Sequence, residues 1–240
     1  MAGARVLWGC DDPSRWAAVL ARHGEGTGRG AARGGSVAPG PAPGGSSSLP
    51  SPRYREELPA HILARAEKHV TLPELERLLA WKLARGRFRP RLQQLVRSNT
   101  PQLVVQRSAA AFRLLPDVSA AIRELCALRG VGPATASAVL AAGAPELVAF
   151  MSDEAVAAVP GLPAPQYTLK YYLMYLDKVR ERAAALRLGS SSGQWTPQSL
   201  ERALWTWTVG RKLCPDLLPD LKACPAPGHP DSSPGAGATQ

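Results

Sequence analysis

Two short helical patterns on either side of a glycine-containing turn constrain the fold of this chain more than any other feature. Apolar residues recur at helical spacing before and after the turn. They are Val118, Ile122, Leu125 and Leu128 before it, and Val139 and Leu140 after it. Gly130 and Gly132 can adopt the positive φ angles that a tight reversal requires, and Pro133 suits the first position of the second helix. The sequence therefore predicts a helical hairpin.

The turn of this hairpin is a candidate phosphate-binding site, because its backbone N–H groups and those of the following helix start point outward together. Leu128 and the segment Gly130-Val-Gly-Pro-Ala-Thr-Ala136 resemble the DNA-binding helix-hairpin-helix motif. The resemblance implies that DNA phosphates contact Gly130, Val131, Gly132 and Thr135. The alternative is a tight connection between two helices of an unrelated helical core.

Helical spacing continues through most of the chain from residue 54, and no alternation of apolar and polar residues indicates a sheet. The expected fold class is therefore all-α. Helices are predicted at 59–70, 73–85, 89–97, 101–115, 118–128, 133–142, 152–159, 165–188 and 197–209. The predicted organisation is a short helical segment at 1–23 capped by Asp12, a disordered Gly/Pro/Ser linker at 24–53, a helical domain at 54–213 and a disordered tail at 214–240.

The chain is strongly basic, with a formal net charge of +10 and a pI near 10. Such a balance favours a polyanionic partner, and duplex DNA is the expected one. No acidic residue occurs between Arg77 and Pro116, a window that holds nine cationic residues. The central candidates for DNA contact are Lys82, Arg85, Arg87, Arg89 and Arg91. The alternative is a solvated basic face with Trp81, Leu83 and Phe88 in the core.

No secretory signal, membrane span, metal site or cofactor is expected. The start of the chain is interrupted by Asp11 and Asp12, and no apolar run reaches the length of a membrane span. Four widely scattered cysteines favour reduced thiols, and the expected location is intracellular and nuclear. Cys214, Cys224 and His229 lack the paired close spacing of zinc ligands.

The segment after the hairpin carries a second resemblance. In the helix-hairpin-helix superfamily of DNA glycosylases, which remove damaged bases, an apolar strand-like segment and an aspartate follow the second hairpin helix. Val148-Ala-Phe-Met-Ser-Asp153 occupies that place here, which implies a catalytic Asp153 that stabilises a cationic sugar. The alternative is that Ser152 and Asp153 are ordinary residues at a helix start. Together with Trp81-Lys-Leu and Arg85-Gly-x-Phe-Arg-Pro90, these motifs also look like those of a divergent eukaryotic branch.

Three departures from the superfamily limit what this resemblance implies. Ala134 stands where bifunctional members carry a lysine nucleophile, so an active enzyme would be monofunctional, without lyase activity from that position. The helix after Asp153 lacks the usual His and Arg, and the cysteines do not fit an iron–sulfur loop. Three functions therefore stay open: a DNA-binding protein of repair or chromatin, an inactive protein-interaction subunit that keeps the fold, or a monofunctional DNA glycosylase.

Aromatic residues of the last two predicted helices have two interpretations. Tyr167, Tyr171 and Tyr175 are spaced four apart and so share one helix face. Core packing with surface hydroxyls is favoured, and a stacking platform for a flipped base is the alternative. Trp205 lies off the apolar stripe of its helix, so it is expected to be partly exposed.

Overall fold

The computed structural model describes residues 5–23, 54–85, 89–190 and 193–220. Within these ranges the regular elements are helices and no strand occurs, which confirms the all-α expectation. The α-helices are α1 (Pro13–Ala21), α2 (Tyr54–Leu63), α3 (Leu72–Arg85), α4 (Pro90–Arg97), α5 (Pro101–Arg113), α6 (Val118–Cys126), α7 (Pro133–Gly143), α8 (Asp153–Ala158), α9 (Leu169–Leu188) and α10 (Pro197–Leu213). The predicted disordered linker lies outside the described residues.

The second helix of the hairpin, α7, forms the centre of the core. Residues 134–141 are all buried, and α7 packs against α2, α3, α6 and α9. A helix buried on every side needs small side chains where its neighbours approach closely. Gly143 shows this, because an added Cβ would lie 2.5 Å from Phe112 Cε1 and 3.0 Å from Ile62 Cγ2. The low-volume sequence of α7 therefore lets four helices pack around α7.

The N-terminal helix α1 belongs to this core. Asp12 caps it as predicted, with Oδ1 accepting a hydrogen bond from the Ser14 N–H at 2.8 Å. Trp16 is completely buried and meets Trp195 edge to face, with the ring centroids 6.1 Å apart. Helix α1 also packs along α10. The apolar stripe of α1 is thus covered by the C-terminal part of the helical domain.

Residues 214–220 continue the described structure past the predicted domain boundary. A short 3-10 helix spans Pro215–Leu217. An added Cβ on Gly210 would lie 3.0 Å from Leu218 Cδ2, so this segment packs directly on α10. Arg15 Nη1 donates to the Asp220 carbonyl at 2.9 Å. The first part of the predicted tail is therefore held between α1 and α10, and residues 221–240 lie outside the described ranges.

Two predicted helix starts are wrong. Pro59 lies inside α2 rather than at its start, and the chain turns after Leu63, where Arg65 donates to the His69 carbonyl at 2.6 Å. Helix α9 begins at Leu169, not near Pro165, because the Thr168 hydroxyl accepts from the Tyr171 N–H at 3.2 Å and caps it. The Thr168 cap, and not Pro165, therefore sets the start of α9, and Pro59 is accommodated inside α2.

The expectation of reduced thiols is wrong for Cys10, which is disulfide-bonded, whereas Cys126 and Cys214 are free. Segments that lie far apart in the sequence contact one another around α1, so the wide spacing of the cysteines along the chain did not predict whether Cys10 is paired.

None of the described helices is long and apolar enough to cross a membrane. Within the described ranges no three His, Cys, Asp or Glu side chains are grouped as metal ligands, and Cys224 and His229 lie outside those ranges.

Candidate functional site

The hairpin turn between α6 and α7 has the tight geometry that its glycines suggest. Gly130 adopts φ +78°, in the left-handed region that favours glycine. Its Cα also packs closely on α4, since an added Cβ would lie 2.9 Å from the Leu92 carbonyl oxygen and 3.0 Å from Leu95 Cβ and Val96 Cγ2. Val131 is buried in the core. Gly130 is therefore required by the turn and by its contact with α4.

Asn99, a residue without a role in the sequence-based hypothesis, fastens this turn to the end of α4. Its Oδ1 accepts from the Arg129 N–H at 2.9 Å, and its Nδ2 donates to the Arg129 carbonyl at 3.0 Å. The same Nδ2 donates to the Val96 carbonyl at 2.8 Å. Because Asn99 is only 5% exposed, these hydrogen bonds replace water for both backbone groups. The turn is thus held in one conformation before any ligand arrives.

Gly132 has a different environment from Gly130. It is exposed, it adopts φ −109°, and an added Cβ would meet no atom within 4 Å. It is the N-cap of α7 and supplies no side-chain cap. Among the described residues, neither its N–H nor that of Ala134 donates to a backbone carbonyl. Open space and unpaired donors therefore coincide at Gly132, which is the geometry that the phosphate hypothesis requires.

A cavity of about 330 Å³ lies beside the turn, between α3, the start of α7 and the start of α8. Lys82, Thr135, Asp153 and Tyr167 contribute polar groups to its wall. Trp81, Phe150 and Trp205 contribute aromatic surface, with the Trp81 and Phe150 rings 5.7 Å apart. The fold thus brings the predicted hairpin and the predicted Asp153 to the same concave surface.

The segment that leads to Asp153 has no regular secondary structure, and buried side chains hold its backbone. The Tyr172 hydroxyl donates to the Ala149 carbonyl and the Tyr175 hydroxyl to the Phe150 carbonyl, both at 3.1 Å. The Phe150 N–H donates to Gln198 Oε1 at 2.9 Å. Each bond satisfies a buried backbone group that has no sheet partner. This framework fixes where the chain enters α8.

Ser152 and Asp153 have separate roles at the start of α8. Ser152 is the N-cap, accepting from the Ala155 N–H at 3.3 Å while its own hydroxyl donates to the buried Glu201 Oε1 at 2.7 Å. Asp153 is the first helical residue, and its Oδ1 accepts from the Tyr167 hydroxyl at 2.8 Å. Because Ser152 supplies the cap, the carboxylate of Asp153 is left facing the cavity and its rim.

Lys82 brings an amine into this cavity from α3. Its Nζ donates to Thr135 Oγ1 at 3.3 Å, and Thr135 is 3% exposed. Burial lowers the pKa of Lys82 from its ordinary value, the negative charge of Asp153 partly opposes this, and the positive charge of Arg89 adds to it. A direct phosphate contact by the Thr135 hydroxyl stays a prediction, since that hydroxyl serves Lys82 here.

Charged groups of both signs surround Lys82. The Arg89 guanidinium lies over the Tyr167 ring, 5.5 Å from its centroid, so Arg89, Tyr167 and Asp153 form a continuous row. Burial raises the pKa of Glu154, the next residue along α8, and the charge of Asp153 raises it further. Cations and a carboxylate therefore meet at one rim.

The basic window separates into two groups in the folded chain. Arg89 and Arg91 are exposed, and Arg89 lines the cavity. The side chain of Arg85 and all of Arg87 lie outside the described residues, so their predicted DNA contacts are not located. Three others meet carboxylates from elsewhere in the sequence. These pairs are Arg97–Glu76 at 3.3 Å, Arg107–Glu124 at 2.9 Å and Arg113–Glu67 at 3.3 Å.

Two expectations about aromatic residues are wrong. Tyr167 precedes α9, so it does not share a helix face with Tyr171 and Tyr175. The favoured core packing is confirmed for Tyr171 and Tyr175, which are both buried. The Tyr175 hydroxyl reaches a buried carbonyl and not the surface. Trp205, expected to be partly exposed, is 7% exposed and lines the cavity.

Comparison of the chain with protein-family models, characterised proteins and solved structures gives no match.

Proposed function

We propose that this chain binds duplex DNA through the α6–α7 hairpin and that the adjoining cavity receives a nucleoside turned out of the helix. One observation carries the proposal: the exposed, open N-cap at Gly132 and the charged wall formed by Lys82, Arg89 and Asp153 border the same cavity. A phosphate at the turn would hold the backbone beside the opening. A base that leaves the stack would then have only a short distance to travel.

The size and lining of the cavity suit such a ligand. Binding pockets for small organic groups have volumes from about 300 Å³ upward, and they combine apolar walls with a few polar groups. The cavity here is about 330 Å³, with Trp81, Phe150 and Trp205 as aromatic surface. Aromatic rings stack on any base, whereas the carboxylate of Asp153 discriminates by hydrogen bonding and charge. A surface that served only as a protein scaffold would need neither feature.

The proposal extends to catalysis by Asp153, to the location of the protein and to its biological role. If the protein cleaves a glycosidic bond, Asp153 is the group that stabilises the cationic sugar as the base departs, and the Tyr167 hydroxyl holds its carboxylate in place. We further propose a nuclear location and a role in DNA repair or chromatin. The protein-interaction subunit is the competing function, and it predicts no affinity for DNA.

The proposal is tested by DNA titration of Gly132→Val with Gly193→Val as the matched control. At both glycines an added Cβ would have no atom within 4 Å, so a Cβ at either position displaces no packed group. A valine at 132 projects into the space that a phosphate would occupy, so we expect weaker binding by at least about tenfold, equally for duplexes of unrelated sequence. Gly193→Val should bind as the unmodified chain does.

Circular dichroism and urea titration establish that both variants are folded. If Gly132→Val binds duplex DNA as tightly as Gly193→Val, the hairpin is not the contact. If the unmodified chain shows no salt-dependent binding to duplex, single-stranded or abasic DNA, the proposal is wrong and the protein-interaction function takes its place.

A further inference from the structure

The N-terminal segment, residues 5–23, packs on the C-terminal helices and is attached to them at both ends. Near its beginning, Asp11 Oδ1 lies 2.7 Å from Arg182 Nη1 of α9. The guanidinium of Arg182 also lies over the Trp16 ring, 5.6 Å from its centroid. At the other end of the segment, the His23 side chain contacts α10. The last residue of the segment therefore reaches the helix that carries one wall of the cavity.

The His23 ring makes two contacts with consecutive residues of α10. Its Nδ1 lies 2.8 Å from Thr206 Oγ1, and its ring meets the Trp205 indole edge to face with the centroids 5.4 Å apart. The Thr206 hydroxyl has one proton, which it donates to the Arg202 carbonyl at 2.7 Å, so it accepts the hydrogen bond from His23. Because Thr206 is 3% exposed, it is a fixed partner. The hydrogen bond thus orients the imidazole against the indole.

Trp205 connects this contact to the cavity. Its indole lines the cavity wall together with Trp81 and Phe150, whereas none of the described residues 5–23 lines it. Edge-to-face packing fixes the relative orientation of two aromatic rings. His23 therefore forms a second layer outside the aromatic wall, in contact with one of the rings that a ligand would meet.

We infer that His23 is a positioning residue for the cavity, and that it holds the Trp205 indole in the orientation that a planar ligand ring such as a nucleobase contacts. The identity of this ligand rests on the proposed function, whereas the orientation of Trp205 by His23 does not. The N-terminal segment is then part of the candidate site, although it forms none of the cavity surface.

The size of the effect follows from the ring pair. An edge-to-face aromatic pair contributes a free energy that corresponds to about two- to tenfold in a binding constant. Without the His23 ring the indole has further orientations, and the affinity for a ligand falls with the fraction of molecules in which the indole is correctly placed. Loss of the ring should therefore weaken binding in the cavity by about two- to tenfold.

Thermodynamic linkage gives an independent consequence for the N-terminal segment. If a ligand requires the orientation of Trp205 that His23 stabilises, the ligand must in turn stabilise the contact of His23 with α10 by the same factor. Amide hydrogen exchange at the end of α1 should therefore slow by about two- to tenfold when the cavity is filled. Unchanged exchange with a bound ligand would overturn the coupling, because α1 has no direct contact with the cavity.

The test measures affinity and the environment of Trp205 in the full chain. Two probes are used separately: 2′-deoxyadenosine 5′-monophosphate, which carries a base and a phosphate without the rest of a duplex, and a duplex with one mismatched base. The chain is labelled with 5-fluorotryptophan, and Trp205→Phe identifies the fluorine NMR resonance of Trp205. The resonances of Trp16 and Trp195, whose rings lie 6.1 Å apart, report whether the N-terminal segment stays docked.

Three variants separate positioning from docking. His23→Ala should move the Trp205 resonance, leave the two docking resonances in place and weaken binding of both probes by about two- to tenfold. His23→Phe keeps an aromatic ring against the indole and should restore most of the affinity. His69→Ala is the matched control, since it also removes a ring whose Nδ1 bonds a neighbour, the Glu67 carbonyl at 2.8 Å, and it should change neither readout.

The two proposals fail in different ways. An unchanged Trp205 resonance in His23→Ala overturns the inference, even if both probes bind. A moved resonance with unchanged affinity also overturns it, because the orientation of the indole then has no effect on the ligand. Movement of the docking resonances as well, without recovery in His23→Phe, assigns His23 to docking alone and overturns its positioning role. If the unmodified chain binds neither probe, the proposed function is wrong, and a selective movement of the Trp205 resonance still supports the hold of His23 on that ring.

Discussion

Replacing Gly130 with alanine should destabilise the protein much more than the same change at Gly132. Gly130 adopts φ +78°, a conformation that costs a residue with a Cβ about 1–2 kcal/mol. Its new methyl group would also lie 2.9 Å from the Leu92 carbonyl oxygen and 3.0 Å from Val96 Cγ2. The first of these atoms is backbone, so it cannot rotate away. Helix α4 must shift for the methyl group to fit.

The magnitude follows from these two effects and one that opposes them. Overpacking a close contact costs about 1–3 kcal/mol, and reduced freedom of the unfolded chain returns about 0.4–1 kcal/mol. The net loss in free energy of unfolding for Gly130→Ala is about 1–4.5 kcal/mol, or roughly 2–18 °C in Tm for a chain of this size. At Gly132 the backbone is extended and the space is open, so alanine should change stability by less than about 0.5 kcal/mol.

Urea titration followed by circular dichroism measures both variants against the unmodified chain, with the midpoint and the m-value fitted together. The predicted result is a lower midpoint for Gly130→Ala at unchanged m, and an unchanged midpoint for Gly132→Ala. Equal midpoints for the two variants would mean that the turn is free to rearrange. In that case the reasoning that the turn requires glycine at position 130 is wrong.

Three further changes probe other parts of the structure by the same titration. Asn99→Ala leaves the N–H and carbonyl of Arg129 without partners, so it should cost about 2–3 kcal/mol, and a loss below about 0.5 kcal/mol would show that water replaces the side chain. Gly143→Ala places a methyl group 2.5 Å from Phe112 Cε1 and should cost about 1–3 kcal/mol, unless the ring rotates away. Glu74→Gln should destabilise the chain at neutral pH, and its effect should vanish as pH falls; an effect independent of pH would mean that the charge is unimportant.

The sign of the Glu74 effect follows from its contacts. Burial by itself raises the pKa of this carboxyl, but the Arg65 guanidinium at 2.7 Å and the Thr71 N–H at 2.8 Å outweigh burial and hold the pKa below its ordinary value. A group with a lowered pKa in the folded state binds protons less readily than in the unfolded chain. Its stabilisation is therefore complete above the unfolded pKa, and it is lost as pH falls through the folded pKa.

The elements near the hairpin were predictable because their signals are local. Glycine at a positive φ, proline at the first position of a helix and apolar spacing are all read within a few residues, and the bounds of α6 and α7 agree closely with the prediction. At two positions a proline did not mark the start of a helix. Thr168 caps α9 after Pro165, and α2 runs through Pro59.

The support of the candidate site was not predictable from spacing. Tyr172 and Gln198 bind the backbone before Asp153 across 23 and 48 residues of sequence, and no periodicity links such positions. One signal was present in the final helix. Gln198 and Glu201 are polar residues next to its apolar stripe, and a buried polar group needs a buried partner. Their partners, the Phe150 N–H and the Ser152 hydroxyl, are the groups that place Asp153.

The fold also divides the basic window into two groups of arginines, which a count of charges along the sequence does not distinguish. Arg107 and Arg113 meet Glu124 and Glu67, whose negative charges would repel a phosphate, whereas Arg89 and Arg91 have no ion-pair partner among the described residues. Neutralising one true phosphate contact lowers the slope of log affinity against log salt by about one unit. Arg89→Gln and Arg91→Gln together should therefore flatten the slope by about two units, and the double change of Arg107 and Arg113 to glutamine should leave it nearly unchanged. The same flattening from both pairs would mean that DNA responds only to total charge, and that the cavity rim is not where the duplex lies.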